Sequence, residues 1–343
     1  MLGFALAAVG AFAVTSRVRQ ARRRQASLFG SVAIVTGGSR GLGFLIAREL
    51  ARAGCRLSIC ARDAAELDRA RAELERHGAE VIGIRCDVAD PVATAALVAE
   101  TESRLGPVDI LVNNASIIQV APVEALGPRE FQHAMAVNFW GVVHPTLAVL
   151  PRMRARRRGR IVNITSIGGK VSVPHLLPYG AAKFAAVGFS EGLTAEVAKD
   201  GVRVTTVVPG LMRTGSYLNA EFEGRPAEEF TWFALGSTLP LVSMDAERAA
   251  RRIVRAIRRG EREPILSLPA QILARTHGLF PGTVVGALGL VNRLLPDAGD
   301  TRGHARGLQL QRAAGSGALY AVTRLGRAAA RRFNQYPPQT RTT

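Results

Sequence analysis

Thr36-Gly37-Gly38-Ser39-Arg40-Gly41-Leu42-Gly43 stands between an apolar run, Ser31 to Val35, and a helical pattern, Phe44 to Ala53. Strand, glycine turn and helix in that order make an anion cradle. Glycine lets the backbone bend sharply and a ligand come close, and the first N–H groups of the following helix lack partners inside it. A second β-rich run, Arg56 to Ala61, follows within about thirty residues and completes a strand–helix–strand unit of the kind that holds a pyrophosphate.

Working outward, Gly54 closes the first helix. Asp63, with Glu66 three residues on, has capping-box spacing and starts a second helix that runs toward His77 and stops at Gly78. Val81 to Cys86, Val108 to Val112, Arg160 to Thr165, Val202 to Val208 and Pro264 to Leu268 read as further strands. Helices fall at Pro91 to Leu105, before Gly141, over Val142 to Arg154, and from about Pro178 to Lys199. This alternation predicts an α/β fold with a seven-stranded parallel sheet covered by helices on both faces.

A chain of 343 residues with 48% hydrophobic content can bury a large core. The formal charge of +18 invites a nucleic-acid reading. The arginines, however, cluster outside the sheet pattern, at 17–24, 152–160, 248–262 and the last forty residues. No zinc-finger spacing, RNA-recognition signature or helix-turn-helix accompanies them. The charge suits an anionic membrane surface better. Cys55, Cys60 and Cys86 show neither metal spacing nor a disulfide framework, which suggests a reduced, cytosol-facing domain without a metal.

Tyr179 and Lys183 are four apart on a helix and so share a face. A nearby ammonium favours the phenolate and brings a tyrosine into the working range of an acid–base group. Ser166 ends a strand thirteen residues earlier, and Asn138 lies near the same sheet edge. With Thr36-Gly37-x3-Gly41-x-Gly43, Asp87, Asn113-Asn114-Ala115 and Pro209-Gly210-x3-Thr214, the sequence resembles the short-chain dehydrogenase/reductase family over about Val32 to Leu268.

The resemblance implies a Rossmann-type doubly wound fold and transfer of a hydride between a nicotinamide and a carbonyl or alcohol. It implies that Tyr179 is the general acid or base, that Ser166 bonds the substrate oxygen, and that Lys183 holds the nicotinamide ribose and lowers the tyrosine pKa. Asn138 would position a water in a proton relay to Lys183. The cofactor residues would be Thr36, Gly37, Ser39, Arg40, Gly41, Leu42, Gly43, Arg62, Asp87, Val88, Asn114, Ala115, Tyr179, Lys183, Pro209, Gly210 and Thr214. The family usually has glycine where this chain has Ser116; if a positive φ is needed there, serine costs about 1 kcal/mol.

An acid at the tip of the second strand would bind the ribose hydroxyls of NAD, but that position falls on Ala61. Asp63 is better explained as a helix cap. Arg62 and Arg40 then offer guanidinium groups suited to a phosphate, so NADP(H) is expected over NAD(H).

Residues 212–242 form the segment where the family places its substrate lid. Tyr217, Phe222, Phe230, Trp232 and Phe233 there suit an apolar substrate, or simply let the lid pack down. Within enzymes the competing expectation is a soluble 3-oxoacyl-thioester reductase, and outside them a non-catalytic dinucleotide-binding sensor or scaffold. Three regions are expected: 1–27, 28–268 and 269–343. In the first, the apolar Met1 to Val14 precedes Arg17, Arg19 and Arg22 to Arg24, the reverse of a secretory signal. It reads as an uncleaved anchor that leaves the enzyme facing the cytoplasm, or as a mobile tail on a cytoplasmic protein. In the last, Leu279 to Leu295 suits a membrane interface or a packed surface, and the Arg-, Gly- and Ala-rich end suits a partly disordered tail. The helices carrying Asn138 to Arg154 and Tyr179 to Lys199 imply, by resemblance, a homo-oligomer.

Overall fold

Continuous aliphatic runs, rather than alternating ones, are what a strand covered on both faces requires. Val32–Thr36 (β1) is such a run, and all five residues are buried. In chain order it is followed by α1 (Gly41–Arg52), β2 (Arg56–Ala61), α2 (Ala64–Glu75), β3 (Val81–Arg85), α3 (Pro91–Leu105) and β4 (Val108–Asn113). Then come β5 (Gln119–Val120), α4 (Pro128–Met135), α5 (Gly141–Ala155), β6 (Gly159–Ile164), α6 (Leu177–Glu196) and β7 (Val202–Val207). The computed structural model describes residues 27–240, 242–299, 303–313, 317 and 323–336. The expected N-terminal anchor and its arginine block lie outside the described residues.

The main sheet has six parallel strands in the order β3-β2-β1-β4-β6-β7. The expected seventh strand, Pro264 to Leu268, is reduced to one parallel bridge between Val208 and Ile265. Pro209 and Pro264 flank that bridge, and proline has no N–H to extend a ladder. Strand order reverses between β1 and β4, so their carboxyl ends open a crevice at the topological switch point. The glycine turn leaves β1 there, and Asn113-Asn114-Ala115 leaves β4 there.

One apolar cluster packs Phe44, Leu45 and Leu50 of α1 with Ile253 and Ile257 against the sheet. A second packs Leu97, Val149, Met153 and Leu193 from α3, α5 and α6 on the opposite face. Beyond β7 lie β8 (Met212–Arg213), β9 (Glu221–Gly224), α7 (Pro226–Thr238), β10 (Met244–Asp245) and α8 (Ala246–Arg259). The chain continues through α9 (Leu268–Leu279), α10 (Pro281–Asn292), β11 (Gly303–Arg306), α11 (Gly307–Ala313) and α12 (Arg324–Arg332). Strand β9 joins β5 in parallel and β11 antiparallel, fastening the lid to the loop after β4.

Four of the five lid aromatics, Tyr217, Phe222, Phe230 and Phe233, are buried in a cluster of their own. They pack the lid down rather than face a substrate. Among the described residues one helical stretch, Pro128–Ala155, is long and apolar enough to cross a membrane, but half of its apolar window is buried within the domain.

Candidate active site

Helix α1 begins at Gly41, inside the glycine turn and three residues earlier than its apolar pattern. Its N-cap is Arg40, in extended conformation, with no side-chain cap and no acid in the first turn. A helix start of this kind attracts an anion, although the first amide, that of Gly41, donates to the Phe333 carbonyl at 2.8 Å. Gly37 is left-handed at φ 62°, and a Cβ there would stand 2.9 Å from Ala115 Cα. A Cβ on Gly43 would stand 2.1 Å from the Gly37 carbonyl oxygen and 2.4 Å from Asn114 Nδ2. Asn114 Nδ2 donates to the carbonyls of Thr36 and Gly37 at 3.0 and 3.2 Å. Thr36 Oγ1 accepts from the amides of Asn114 and Ala115. The two loops at the switch point are thus stitched into one cradle, and the residues fit a dinucleotide.

Around this cradle, Asp87 caps the turn after β3 by accepting from the Ala89 amide at 3.0 Å. Val88 is buried against the start of α5. On the far bank, the Pro209 carbonyl accepts from the Ile167 amide at 2.7 Å. Gly210 lies against Ser267, Leu42 is buried in the α1 core, and Thr214 Oγ1 accepts from the Ser216 amide at 3.1 Å.

The catalytic candidates converge at the carboxyl ends of β6 and the start of α6. The Tyr179 ring and the Ser166 hydroxyl both lie against Gly168; burial raises the phenol's pKa above the ordinary value, and the neighbouring Ser166 hydroxyl opposes that rise. Ser166 Oγ also accepts from the Gly168 amide at 3.0 Å. Lys183 Nζ sits 5.7 Å from the Tyr179 ring centroid and donates to the Ile164 carbonyl at 3.2 Å. Lys183 is only 2% exposed, and burial lowers its ammonium to about 8.

Asn138 lies in a π turn, Ala136–Trp140, between α4 and α5. Its Oδ1 accepts from Ser116 Oγ at 2.7 Å and from the Ile117 amide at 3.1 Å, and its Nδ2 donates to the Ile117 carbonyl. The side chain therefore holds the loop after β4. Such π turns break the regular helical ladder and recur at functional sites. Ser116 is not among the described non-glycine residues with positive φ, so the strain considered for a serine there is absent.

Ala61 is the last residue of β2, so the strand tip carries no acid. Asp63 accepts from the Glu66 amide at 2.8 Å and is the cap of α2. The Arg62 guanidinium has no hydrogen-bond or ion-pair partner among the described residues, and Arg85 Nε donates to the Arg62 carbonyl at 3.1 Å.

Several functional residues escape a reading of the sequence. Glu66 does not close a capping box. Its carboxylate instead accepts from Arg40 Nη1 at 2.7 Å and from Ser39 Oγ at 3.2 Å. Arg85, paired with Ala61 in the sheet register, adds a third guanidinium near the strand tip. His175, four residues before Tyr179, meets Glu229 of the lid helix. Beneath the catalytic residues, Asn113 donates to Asn163, Asn163 donates to Ser190, and Ser190 bonds Thr206, a buried polar chain across β4, β6, α6 and β7.

The family model for short chain dehydrogenase matches residues 31–221. The chain belongs to this family. An acetoacetyl-CoA reductase of Paracoccus denitrificans is 38% identical over 183 residues, 53% of this chain and 74% of that one. A short-chain dehydrogenase structure from Streptomyces avermitilis is similar at TM-score 0.65 and 30% identity, covering 77% of this chain and 98% of that one. A metagenomic short-chain oxidoreductase solved in complex with NADP is similar at TM-score 0.58 and 28% identity, covering 70% of this chain and 97% of that chain. The short-chain dehydrogenase is therefore an oxidoreductase that uses a nicotinamide cofactor.

Proposed function

We propose that the enzyme is an NADP(H)-dependent reductase of a carbonyl on a small apolar substrate. The observation that carries the chemistry is the convergence of three side chains: Tyr179 and Ser166 meet around Gly168, and the buried Lys183 ammonium stands 5.7 Å from the Tyr179 ring centroid. Both hydroxyls bind an oxygen better as it gains negative charge than as a neutral carbonyl. In reduction Tyr179 donates its proton to the carbonyl oxygen and Ser166 donates a hydrogen bond to it. The Lys183 ammonium favours the phenolate left behind. The cradle and Lys183 would hold a nicotinamide dinucleotide, which when bound would supply the hydride for reduction or accept it in oxidation.

The choice of NADP(H) is supported by the missing acid at the tip of β2 and by Arg40, Arg62 and Arg85 around it. Titrating the full chain with NADPH and NADH, following nicotinamide fluorescence, tests it. Tighter NADPH binding supports the reading, and preference for NADH overturns it. A screen of hydrophobic carbonyls with NADPH then tests the substrate class. Likeness to the acetoacetyl-CoA reductase favours a second reading, a 3-oxoacyl-thioester reductase, which activity confined to acyl thioesters would establish.

We place the enzyme at an anionic membrane surface, its catalytic domain facing the cytoplasm. Along α9 and α10, Leu268, Ile272, Leu279, Phe280, Val285 and Leu290 are large, apolar and exposed, and no acidic residue occurs between Glu263 and Asp297. Apolar side chains beside Arg275 and Arg293 suit the headgroup boundary. Exposed Trp140 and Leu147 near and on α5, with Leu177 and Phe184 on α6, suit a second copy of the chain. Vesicle co-sedimentation and light scattering test the two proposals; failure to bind anionic vesicles overturns the first, and a monomer overturns the second.

A further inference from the structure

Residues 323–336 return to the crevice from the far end of the chain. Helix α12 seats Ala330 on Gly215, where a Cβ would stand 2.4 Å from the Ala330 Cβ. Phe333 enters the same core cluster as α1. Its carbonyl accepts from the Gly41 amide at 2.8 Å. Asn334 Nδ2 donates to the carbonyls of Ser39 and Glu66 at 2.8 and 3.1 Å, and its Oδ1 accepts from Arg69 Nε at 3.1 Å. Gln335 Oε1 accepts from Asn219 Nδ2 at 2.6 Å. Gln335 also lies so close to Gly41 that a Cβ there would stand 2.5 Å from its Nε2. The segment therefore bridges both banks of the crevice: the glycine turn on one side and the lid after Thr214 on the other.

We propose that residues 333–336 are a strap across the phosphate end of the dinucleotide crevice that competes with the dinucleotide for it. The inference rests on the nicotinamide reading of the site. The Gly41 amide, the first of α1, already has an acceptor in the Phe333 carbonyl, and one N–H serves one strong acceptor. The close approach that glycine permits at position 41 is used by Gln335. Arg40 and Ser39 are held by Glu66, whose backbone Asn334 pins to the turn. An incoming phosphate must take these donors from acceptors within the chain. Asn334 keeps a left-handed backbone at φ 55°, a conformation that asparagine adopts more readily than most residues with a Cβ.

The test is stopped-flow binding of NADPH to the full chain and to the double variant Asn334→Gly, Gln335→Ala. Glycine at 334 keeps the left-handed turn accessible while removing all three side-chain bonds of Asn334. If the open form is the minor one, loosening the strap raises the association rate about tenfold and leaves dissociation within about twofold. Hydrogen exchange of the amides of 323–336 provides a second readout in the unaltered chain, and exchange there speeds up when NADPH saturates. An unchanged or slower association rate, or slower exchange of the strap with NADPH bound, overturns the proposal. Failure of both proteins to bind NADPH or NADH would overturn the nicotinamide reading instead, and the strap proposal with it.

Discussion

His175 Nδ1 lies 2.8 Å from Glu229 Oε1, with both side chains buried and Trp232 Nε1 donating to the other carboxylate oxygen at 2.7 Å. The pair fastens the lid helix α7 to the loop that leads into Tyr179. Removing one partner leaves the other buried without its bond, so His175→Ala should cost about 3 kcal/mol in urea unfolding. The lid should loosen as well, raising KM more than it lowers kcat in steady-state kinetics.

Tyr179→Phe keeps the ring and removes the proton donor. Catalysis should fall about 10³-fold, the scale of positioned acid–base groups. Dinucleotide binding, read by nicotinamide fluorescence, should weaken by no more than about tenfold, the loss of one hydrogen bond. Full activity in the variant would remove Tyr179 from the chemistry.

Lys183 carries a pH signature. Its folded pKa is lowered by burial to about 8 from an ordinary 10.5, so between those values the unfolded chain binds more protons and stability attributable to this group rises with pH. Below about 8 both states are protonated and the burial penalty is felt in full. The stability of Lys183→Met relative to the parent should therefore be most favourable below that pH and decline toward 10.5. NADPH affinity of the parent should weaken as pH rises through about 8, as the ammonium is lost.

Arg62 has no partner among the described residues and lies beside the tip of β2, so Arg62→Ala should weaken NADPH about tenfold and leave NADH unchanged. Glu66 acts in the opposite sense. Its carboxylate repels a phosphate brought to Arg40 and Ser39, and Glu66→Gln should tighten NADPH several-fold. Paired titrations of the two variants decide both.

Ser116→Gly restores the residue usual in the family, yet it should not improve cofactor binding. No positive φ is present at Ser116 to be relieved, and its bond to Asn138 would be lost, at a cost of about 1 kcal/mol. Unfolding and NADPH titration of the variant check both parts.

The glycine turn, the strand–helix alternation and the Tyr179–Lys183 face are all local patterns, and they were legible in the sequence. The cap at Asp63 was legible for the same reason. What sequence spacing could not show was direction: Glu66 has the offset of a capping box, yet its side chain turns to the glycine turn. The bridge at Ile265 failed to become a strand because prolines interrupt its hydrogen bonds, although its apolar residues read as one. The lid aromatics carried two meanings until their burial was seen. The strap was hidden twice, by the sequence distance separating Asn334 from Ser39 and by an Arg-, Gly- and Ala-rich composition that resembles a flexible tail.

That distance has a consequence for biosynthesis. Asn334 and Ser39 are separated by 295 residues, so a ribosome adding about 5–20 residues per second needs about 15 to 60 s to pass from one to the other. Throughout that interval the glycine turn is outside the tunnel or emerging while its competitor does not yet exist. Once the lid has been made, the nascent chain meets cellular dinucleotide before the strap exists, and on the strap proposal cofactor loads more readily then than into the finished protein.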